Sequence, residues 1–481
     1  MRLSLPMVSV CAFILSVYFL HTANAQEQLG LKLDNYSGVN SLLLNPAATA
    51  NSPLKWDVNL IAVGHFTENN YGFIQKTKLS EILRNTSNIV VATDIDAESP
   101  IGANDLVFDF FHNNEKKHLY TLSQVMGPSI MIKNQNGHAF SLYTAVKASV
   151  SAHKIPSSLG YYNFINQDFY EGFEVAPFKA TGMTWGEIAL NYAKNLSPDN
   201  YQQLSIGVTV KALLGFDAFS LENKEAFSLE RLPQNSLRFS DLDVAFGLTR
   251  TSIDDPGVNT SINGKGAAVD LGFTYVMESY ESEGYQQKYS VALIDLGRIF
   301  FNQNTELHTF NAADITEITT ETYDNLEENG DFFAETSQQI LNDPTASLSD
   351  TKMAFWLPAA ISLQADYKIV KHLFLNALMV RRIPLPGATL QRSNLWAVTP
   401  RFETRWLGVS IPVSFYEDSQ VHFGAALRLG PLTVGTENLS SILVRSDFTG
   451  TDIYAALKIN PLDLNYRKRN KRGKTLDCYE F

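Results

Sequence analysis

From Gln203 to Leu214 polar and apolar positions alternate. Gln203, Ser205, Gly207, Thr209 and Lys211 fall on one face, while Leu204, Ile206, Val208, Val210, Ala212 and Leu214 fall on the other. A period of two is the signature of a strand with one wet and one greasy face. Strands of soluble proteins average about 5 to 6 residues, whereas a tilted strand that crosses a bilayer needs about 9 to 11. The same pattern returns where Ile361, Leu363, Ala365 and Tyr367 oppose Ser362, Gln364, Asp366 and Lys368. It returns again where Trp396, Val398, Phe402 and Trp406 oppose Ala397, Thr399, Arg401, Glu403 and Arg405. Long alternating strands predict a wall with lipid on one side and a polar lumen on the other. A large soluble sandwich or propeller also alternates, but with shorter strands and a turn signal every 8 to 12 residues.

Strand candidates run from Trp56 to Phe66 through Asp452 to Ile459. They include Tyr71 to Lys76, Asp105 to Phe111, Ser129 to Lys133 and Arg238 to Thr249, and with weak candidates discounted they total about 14 to 16. Turns are legible at Asn136-Gly137, at Ser197 to Asn200 and around Lys371. The fold class predicted is all-β: a transmembrane antiparallel β-barrel of about 14 strands. Short and long connections should alternate in such a barrel. They do so after residue 302 and fail to between about 155 and 265, so one strand there is missed or invented.

The first residues carry a separate address. Arg2 is a short positive start, Leu3 to Leu20 is an apolar core, and Ala23-Asn24-Ala25 fits the small-x-small cleavage rule. A signal peptide over 1–25 and a mature start at Gln26 are expected. Cys11 lies inside the apolar run after Val10, which does not suit lipidation. After residue 25 no stretch approaches the 18 or more apolar residues a membrane helix needs. Export without such a helix, together with long strands, predicts the cell outer membrane, because a closed barrel pairs every backbone group within itself. The expected organisation is a hatch-like segment over 26–53, the barrel over 54–460 and a basic periplasmic tail over 461–481.

Composition trims the alternatives. Net charge is −12, which argues against nucleic acid as a partner. The two cysteines are Cys11 and Cys478; only Cys478 lies beyond the leader, so no intramolecular disulfide is expected in the mature chain. Aromatic residues make up 11% of the chain, enough for interfacial girdles.

Two charged stretches stand out. Eleven acidic residues and no Lys or Arg occupy Asn302 to Asp350. This loop could bind divalent cations or repel anionic lipid, but it lacks ordered oxygen spacing around a tight Gly turn. The plainer reading is a solvated loop with a short helix burying Tyr323, Leu326, Phe332, Phe333 and Ile340. The tail carries Arg467, Lys468, Arg469, Lys471, Arg472 and Lys474, a candidate contact for lipid headgroups or a partner protein. It also reads as a solvated end that fixes topology.

Chemistry is sparse. The chain has no G-x-S-x-G elbow, no H-E-x-x-H, no phosphate-binding Gly loop and no Cys/His metal spacing. No enzyme, cofactor or metal is expected.

The segment Tyr36-Ser37-Gly38-Val39-Asn40-Ser41-Leu42-Leu43-Leu44-Asn45-Pro46-Ala47 resembles the Asn-Pro-Ala element before the first strand of FadL-type outer-membrane proteins. These include long-chain fatty acid transporters and the PorV-type shuttle of type IX secretion. Gly264-x-Gly266-x-x-x-Asp270-Leu271-Gly272, Leu293-x-Asp295-Leu296-Gly297, Trp356-Leu357-Pro358 and Leu429-Gly430-Pro431-Leu432 resemble an uncharacterised barrel family of bacteria with that secretion apparatus. The resemblance implies that the N-terminal segment folds into the lumen, with Asn45, Pro46 and Ala47 as hatch or lumen candidates. An ordinary turn into the first strand is the alternative. The expected function is a channel or transporter for a small hydrophobic molecule. The alternative is a scaffold barrel of a secretion or envelope complex. Expected partners are outer-membrane lipid, a small hydrophobic ligand and envelope or secretion proteins.

Overall fold

A computed structural model describes residues 27–84, 89–92, 102, 105–113, 115–160, 168–197, 201–233, 236–250, 261–278, 284–312, 316–319 and 331–461. The expected leader and the whole basic run Arg467 to Lys474 lie outside the described residues.

One antiparallel sheet closes on itself as a fourteen-stranded barrel. In chain order the wall strands begin with β1 (Trp56–Asn69), β2 (Lys117–Met126 continuing as Ser129–Lys133), β3 (His138–Ile155), β4 (Phe178–Asn195) and β5 (Gln202–Asn223). They continue with β6 (Gly264–Glu278), β7 (Tyr285–Phe301), β8 (Met353–Trp356 continuing as Ala360–Val370), β9 (Leu373–Arg382) and β10 (Leu395–Glu403). Then come β11 (Leu407–Ser410 and Val413–Tyr416), β12 (Gln420–Phe423 and Ala425–Leu429), β13 (Leu432–Thr436) and β14 (Thr451–Ile459). Closure is the pairing of the first strand with the last, Ala62 opposite Ala456 and Gly64 opposite Tyr454.

The alternation predicts which way each face points. On β5, Ser205, Thr209 and Lys211 are buried in the lumen, whereas Leu204, Ile206 and Val210 are exposed around the outside. Trp396, Val398 and Phe402 of β10 join that outer belt, while Thr399, Arg401 and Glu403 turn inward. A ring of exposed Ile, Leu, Val, Phe and Trp is costly in water and favourable in hydrocarbon, and the closed ladder leaves no wall edge unpaired for lipid to meet.

Short and long connections alternate except between β11 and β12. Tight turns join β2 to β3, β8 to β9, β10 to β11 and β12 to β13 at one end, with Gly137, His372 and Gly430 in the left-handed region. The opposite end carries the long connections, with one short turn over 417–419.

The parity fault of the sequence is thereby located. Arg238 to Thr249 is not a wall strand. It splits at Asp241, whose φ is +61°, into Ser236–Ser240 and Leu242–Thr249. The first piece joins a small sheet with Gly172–Val175, Phe227–Leu232 and Thr316–Thr319. The second pairs with the upper part of β5 and with Thr305–Ala312. Tyr71 to Lys76 and Asp105 to Phe111 also leave the wall, as Gly72–Thr77 and Leu106–Phe110 of a second small sheet. The wall strand in their place, Lys117–Met126, carries mixed residues on both faces, so no period is visible. In the acidic stretch, the helix Phe332–Leu341 is capped by Asp331 and buries Phe333. Phe332 stays exposed, contrary to expectation, and Tyr323 and Leu326 lie outside the described residues.

Candidate functional site

The chain's own N-terminal segment packs against inward-facing residues of the wall. Residues 27–53 form three short turns, Leu29–Lys32, Gly38–Leu43 and Ala48–Asn51, before entering the wall at β1. Short turns suit this sequence, because Ser, Asn, Gly and Pro recur too often for a longer helix. Leu31, Val39, Leu42 and Leu54 pack on inward Ala62, Met126, Met131 and Tyr143, while Leu29, Leu33 and Leu44 pack on Phe66, Tyr120, Leu378 and Tyr416. Within the run Leu42-Leu43-Leu44, Leu42 and Leu43 join the first cluster and Leu44 the second.

Polar contacts tie the segment around the circumference. Asp34 takes a hydrogen bond from Arg428 at 2.8 Å, and the Asn35 amide donates to Glu403 at 2.7 Å. Arg401 donates to the Leu33 carbonyl and, at 2.6 Å, to Asp366. The Lys458 ammonium donates to the Tyr36 carbonyl at 2.9 Å and pairs with Asp57 at 3.2 Å. Buried charges need such partners, since a stranded one costs several kcal/mol.

The Asn-Pro-Ala element lies flat against β5 and β6. Asn45 Nδ2 donates to Thr274 Oγ1 at 2.7 Å, and Asn45 Oδ1 accepts from the Ala47 N–H at 2.9 Å, closing a local Asx turn. Asn191 Nδ2 donates to the Pro46 carbonyl at 3.1 Å.

From the long-loop end the connection between β9 and β10 folds inward. Leu390 is fully buried beside Ile299, Phe301, Phe355 and Leu357. Its N–H donates to the Trp356 carbonyl at 3.1 Å, and the Gln391 N–H donates to Ser151 Oγ at 3.0 Å. Arg392 follows and donates to Glu27 at 3.1 Å and to Asp295 of β7 at 2.8 Å. Asp295 also pairs with Lys211 at 2.5 Å, Lys211 with Asp270 at 2.8 Å, and Lys147 with Glu187 at 2.9 Å. Inner segment and outer connection therefore meet at one charged layer. The cavity at their junction, about 20 Å³, is bounded by Glu27, Lys147, Trp185, Asp295, Pro358 and Arg392. That is room for little more than one water.

Of the residues singled out by sequence, the structure brings Asn45, Pro46 and Ala47 together on the lumen wall, while the basic run lies outside the described residues. Sequence reasoning placed Lys211 on the wet face. It did not find Glu27 or Arg392, because their partners are set by where distant strands fall. Among the described residues no group of three or more His, Cys, Asp or Glu could hold a metal ion.

A family model described as a family of unknown function (DUF5723) matches residues 46–437. Among solved structures, the TodX deltaS2S3 mutant monoaromatic hydrocarbon channel is 9% identical with a TM-score of 0.41, over 88% of this chain and 94% of that one. A Pseudomonas aeruginosa FadL homologue is 9% identical with a TM-score of 0.21, over 91% and 97%. The P. putida toluene transporter TodX is 9% identical with a TM-score of 0.23, over 88% and 94%. Among curated proteins nothing matches.

Proposed function

The chain belongs to the family of unknown function DUF5723, and from that premise we propose that it is an outer-membrane β-barrel that admits a small hydrophobic molecule through a lumen closed by its N-terminal segment. It does so without catalysing a reaction of its own. The apolar outer belt and the closed ladder support the membrane setting. By the usual barrel rule the tight turns then face the periplasm and the long connections the outside.

One observation carries the choice of a hydrophobic solute. Between the long-loop mouth and the charged layer, Trp185, Ile299, Phe301, Phe355, Leu357 and Leu390 pack into an apolar cluster. A polar solute would lose water there without finding partners, whereas an apolar one gains about 25 cal/mol for each Å² it buries. The test is uptake of the apolar dye N-phenylnaphthylamine, which an intact lipopolysaccharide leaflet excludes, by cells that carry the protein in their outer membrane. Entry should rise above that of cells lacking the protein, and rise further when residues 27–53 are deleted. Equal entry into all three kinds of cell overturns the reading.

The close packing of residues 27–53 on the wall favours a second reading, a scaffold barrel for an envelope or secretion complex that contacts partners through the basic tail and the acidic loop. A protein partner that copurifies in mild detergent and is lost on deleting residues 461–481 or 302–350 would select it.

A further inference from the structure

We propose that the outside of the wall carries a binding site for a phosphate of the lipopolysaccharide leaflet, formed by Arg298 of β7 and Lys265 of β6 against the rings of Phe300 and Trp356. The inference rests on the outer-membrane setting proposed above and is independent of what crosses the lumen.

Register brings these four side chains together on the lipid side. On β7 the buried Ile299 and Phe301 alternate with the exposed Arg298 and Phe300. Arg298 stands opposite Ala267 of β6 and Trp356 of β8, and Lys265 stands opposite Phe300. Lys265 is therefore a diagonal neighbour of Arg298, about 7 to 8 Å away between Cα atoms. The Arg298 Cζ lies 4.3 Å from the centre of the Phe300 ring and 5.2 Å from that of Trp356. Rings engage the face of a guanidinium and leave its N–H edge, which can grip a phosphate through two parallel hydrogen bonds.

Height fits the headgroup level. Lower on the same strands, toward the tight turns, Tyr275 stands opposite Tyr289, and the outward Tyr289 and Tyr367 are exposed. Nine positions separate Tyr289 from Arg298, one of them taken up by the register shift opposite Asp270. At about 3.3 Å per residue and a tilt of about 40°, the rise is roughly 20 Å, close to the apolar band of about 25 Å that aromatic girdles bracket. Between the two levels the exposed residues are Leu271, Phe273, Val291 and Leu296. Arg298 and Lys265 thus stand where hydrocarbon ends on the long-loop side, a level at which a cation on the lipid face costs little.

Their charge is unanswered within the chain. Among the described residues neither side chain makes an ion pair or a hydrogen bond. Other cations toward the long-loop end have carboxylates: Lys179 has Glu222, Lys224 has Asp243 and Arg381 has Asp418. The acidic connection above the site turns its charge elsewhere, Glu306 and Asp331 to Arg250 and Glu317 to Arg238. Two unpaired cations at the headgroup level call for an anion from the leaflet. A phosphate monoester, with about −1.5 to −2 charges at pH 7, matches both, and the belt below receives the acyl chains joined to it.

The experiment titrates the full chain, purified in mild detergent and freed of lipid, with deep-rough lipopolysaccharide, with the same material after phosphatase treatment, and with inorganic phosphate. Native mass spectrometry reads what is bound. Affinity for the phosphorylated form should fall roughly tenfold or more in Arg298→Gln, as for loss of a charge-assisted hydrogen bond, and by less in Lys265→Gln. Arg381→Gln, whose cation already has a carboxylate, should bind as the parent does. Equal binding of the phosphatase-treated form, or an Arg298→Gln chain that binds like the parent, overturns the site. Displacement of the lipid by an equal concentration of inorganic phosphate overturns the lipid assignment. If Arg298→Gln does not fold, as judged by its gel shift on heating, Lys265→Gln decides by the same criterion. Sedimentation with outer membranes is scored separately. A barrel that sediments with them and shows no preference for phosphate sinks this site alone, whereas one that does not sediment with them sinks the membrane setting as well.

Discussion

Gly207 and Gly272 stand opposite each other across the ladder of β5 and β6, and this pair leaves bare the patch of wall on which Asn45 and Pro46 lie. A Cβ on Gly207 would overlap the Pro46 carbonyl, and one on Gly272 would overlap Asn45 Oδ1. The first obstacle is backbone and cannot turn aside. Gly207→Ala should therefore lift the Asn-Pro-Ala element and cost about 1 to 3 kcal/mol, the range for overpacking a tight interior. A lower temperature for the heat-induced gel shift checks this, and an unchanged one would show that the element does not press on the wall.

Asn45 is the polar half of the same contact. Its side chain holds Thr274 from one end and the Ala47 N–H from the other. Asn45→Ala removes both and leaves a buried Ala47 donor, for an expected loss of about 1 to 3 kcal/mol. Asn45→Asp should retain the bond from Ala47 and lose the donation to Thr274. Thermal unfolding of the two variants should rank them wild type, Asp, Ala.

What the sequence made legible follows from these contacts. Period two survives in a membrane wall because lipid enforces one face and the lumen the other, so β5, β8 and β10 could be read directly. It fails in β2, where Leu119 and Val125 share the outward face with Thr121 and Ser123. It misleads at Arg238 to Thr249, where two short strands above the barrel place apolar residues at alternate positions without showing alternating burial. The Asn-Pro-Ala element announced a turn but not its floor, since Gly207 lies about 160 positions away in sequence. The Glu27–Arg392 contact, separated by 365 positions, depends on closure of the whole wall and has no local signal.

The lumen charges should differ sharply in worth from those outside. Arg401 is fully buried and serves Asp366, Glu403 and the Leu33 carbonyl. Arg401→Gln leaves two buried carboxylates undercompensated and should cost about 3 to 5 kcal/mol. Lys224 pairs with Asp243 at 3.2 Å, but its side chain is 41% exposed. Lys224→Ala should cost less than about 1 kcal/mol. Comparable losses in urea unfolding of the two variants would contradict the assignment of Arg401 to the lumen.

Acid should loosen the region above the barrel before the barrel itself. Asp331 caps the helix Phe332–Leu341 by accepting from the Phe333 and Ala334 N–H groups, and it pairs with Arg250 at 2.6 Å. Burial opposes its ionisation, but the Arg250 hydrogen bond and charge, with the two backbone donors, outweigh it and hold the carboxyl below its ordinary value. A depressed folded pKa means that this group stabilises the fold above its unfolded value, about 3.9, and that the contribution fades as pH falls through the lower folded value. The pair is partly exposed, so the effect belongs to this helix and should weaken in high salt. Hydrogen exchange should show the amides of Phe333 to Leu341 losing protection as pH drops below about 4, with the lumen-facing ladder of β5 and β6 still protected. Asp331→Asn should retain a capping oxygen, lose the ion pair and flatten that pH dependence. The same acid response in the Asp331→Asn chain as in the parent would assign the transition to another group.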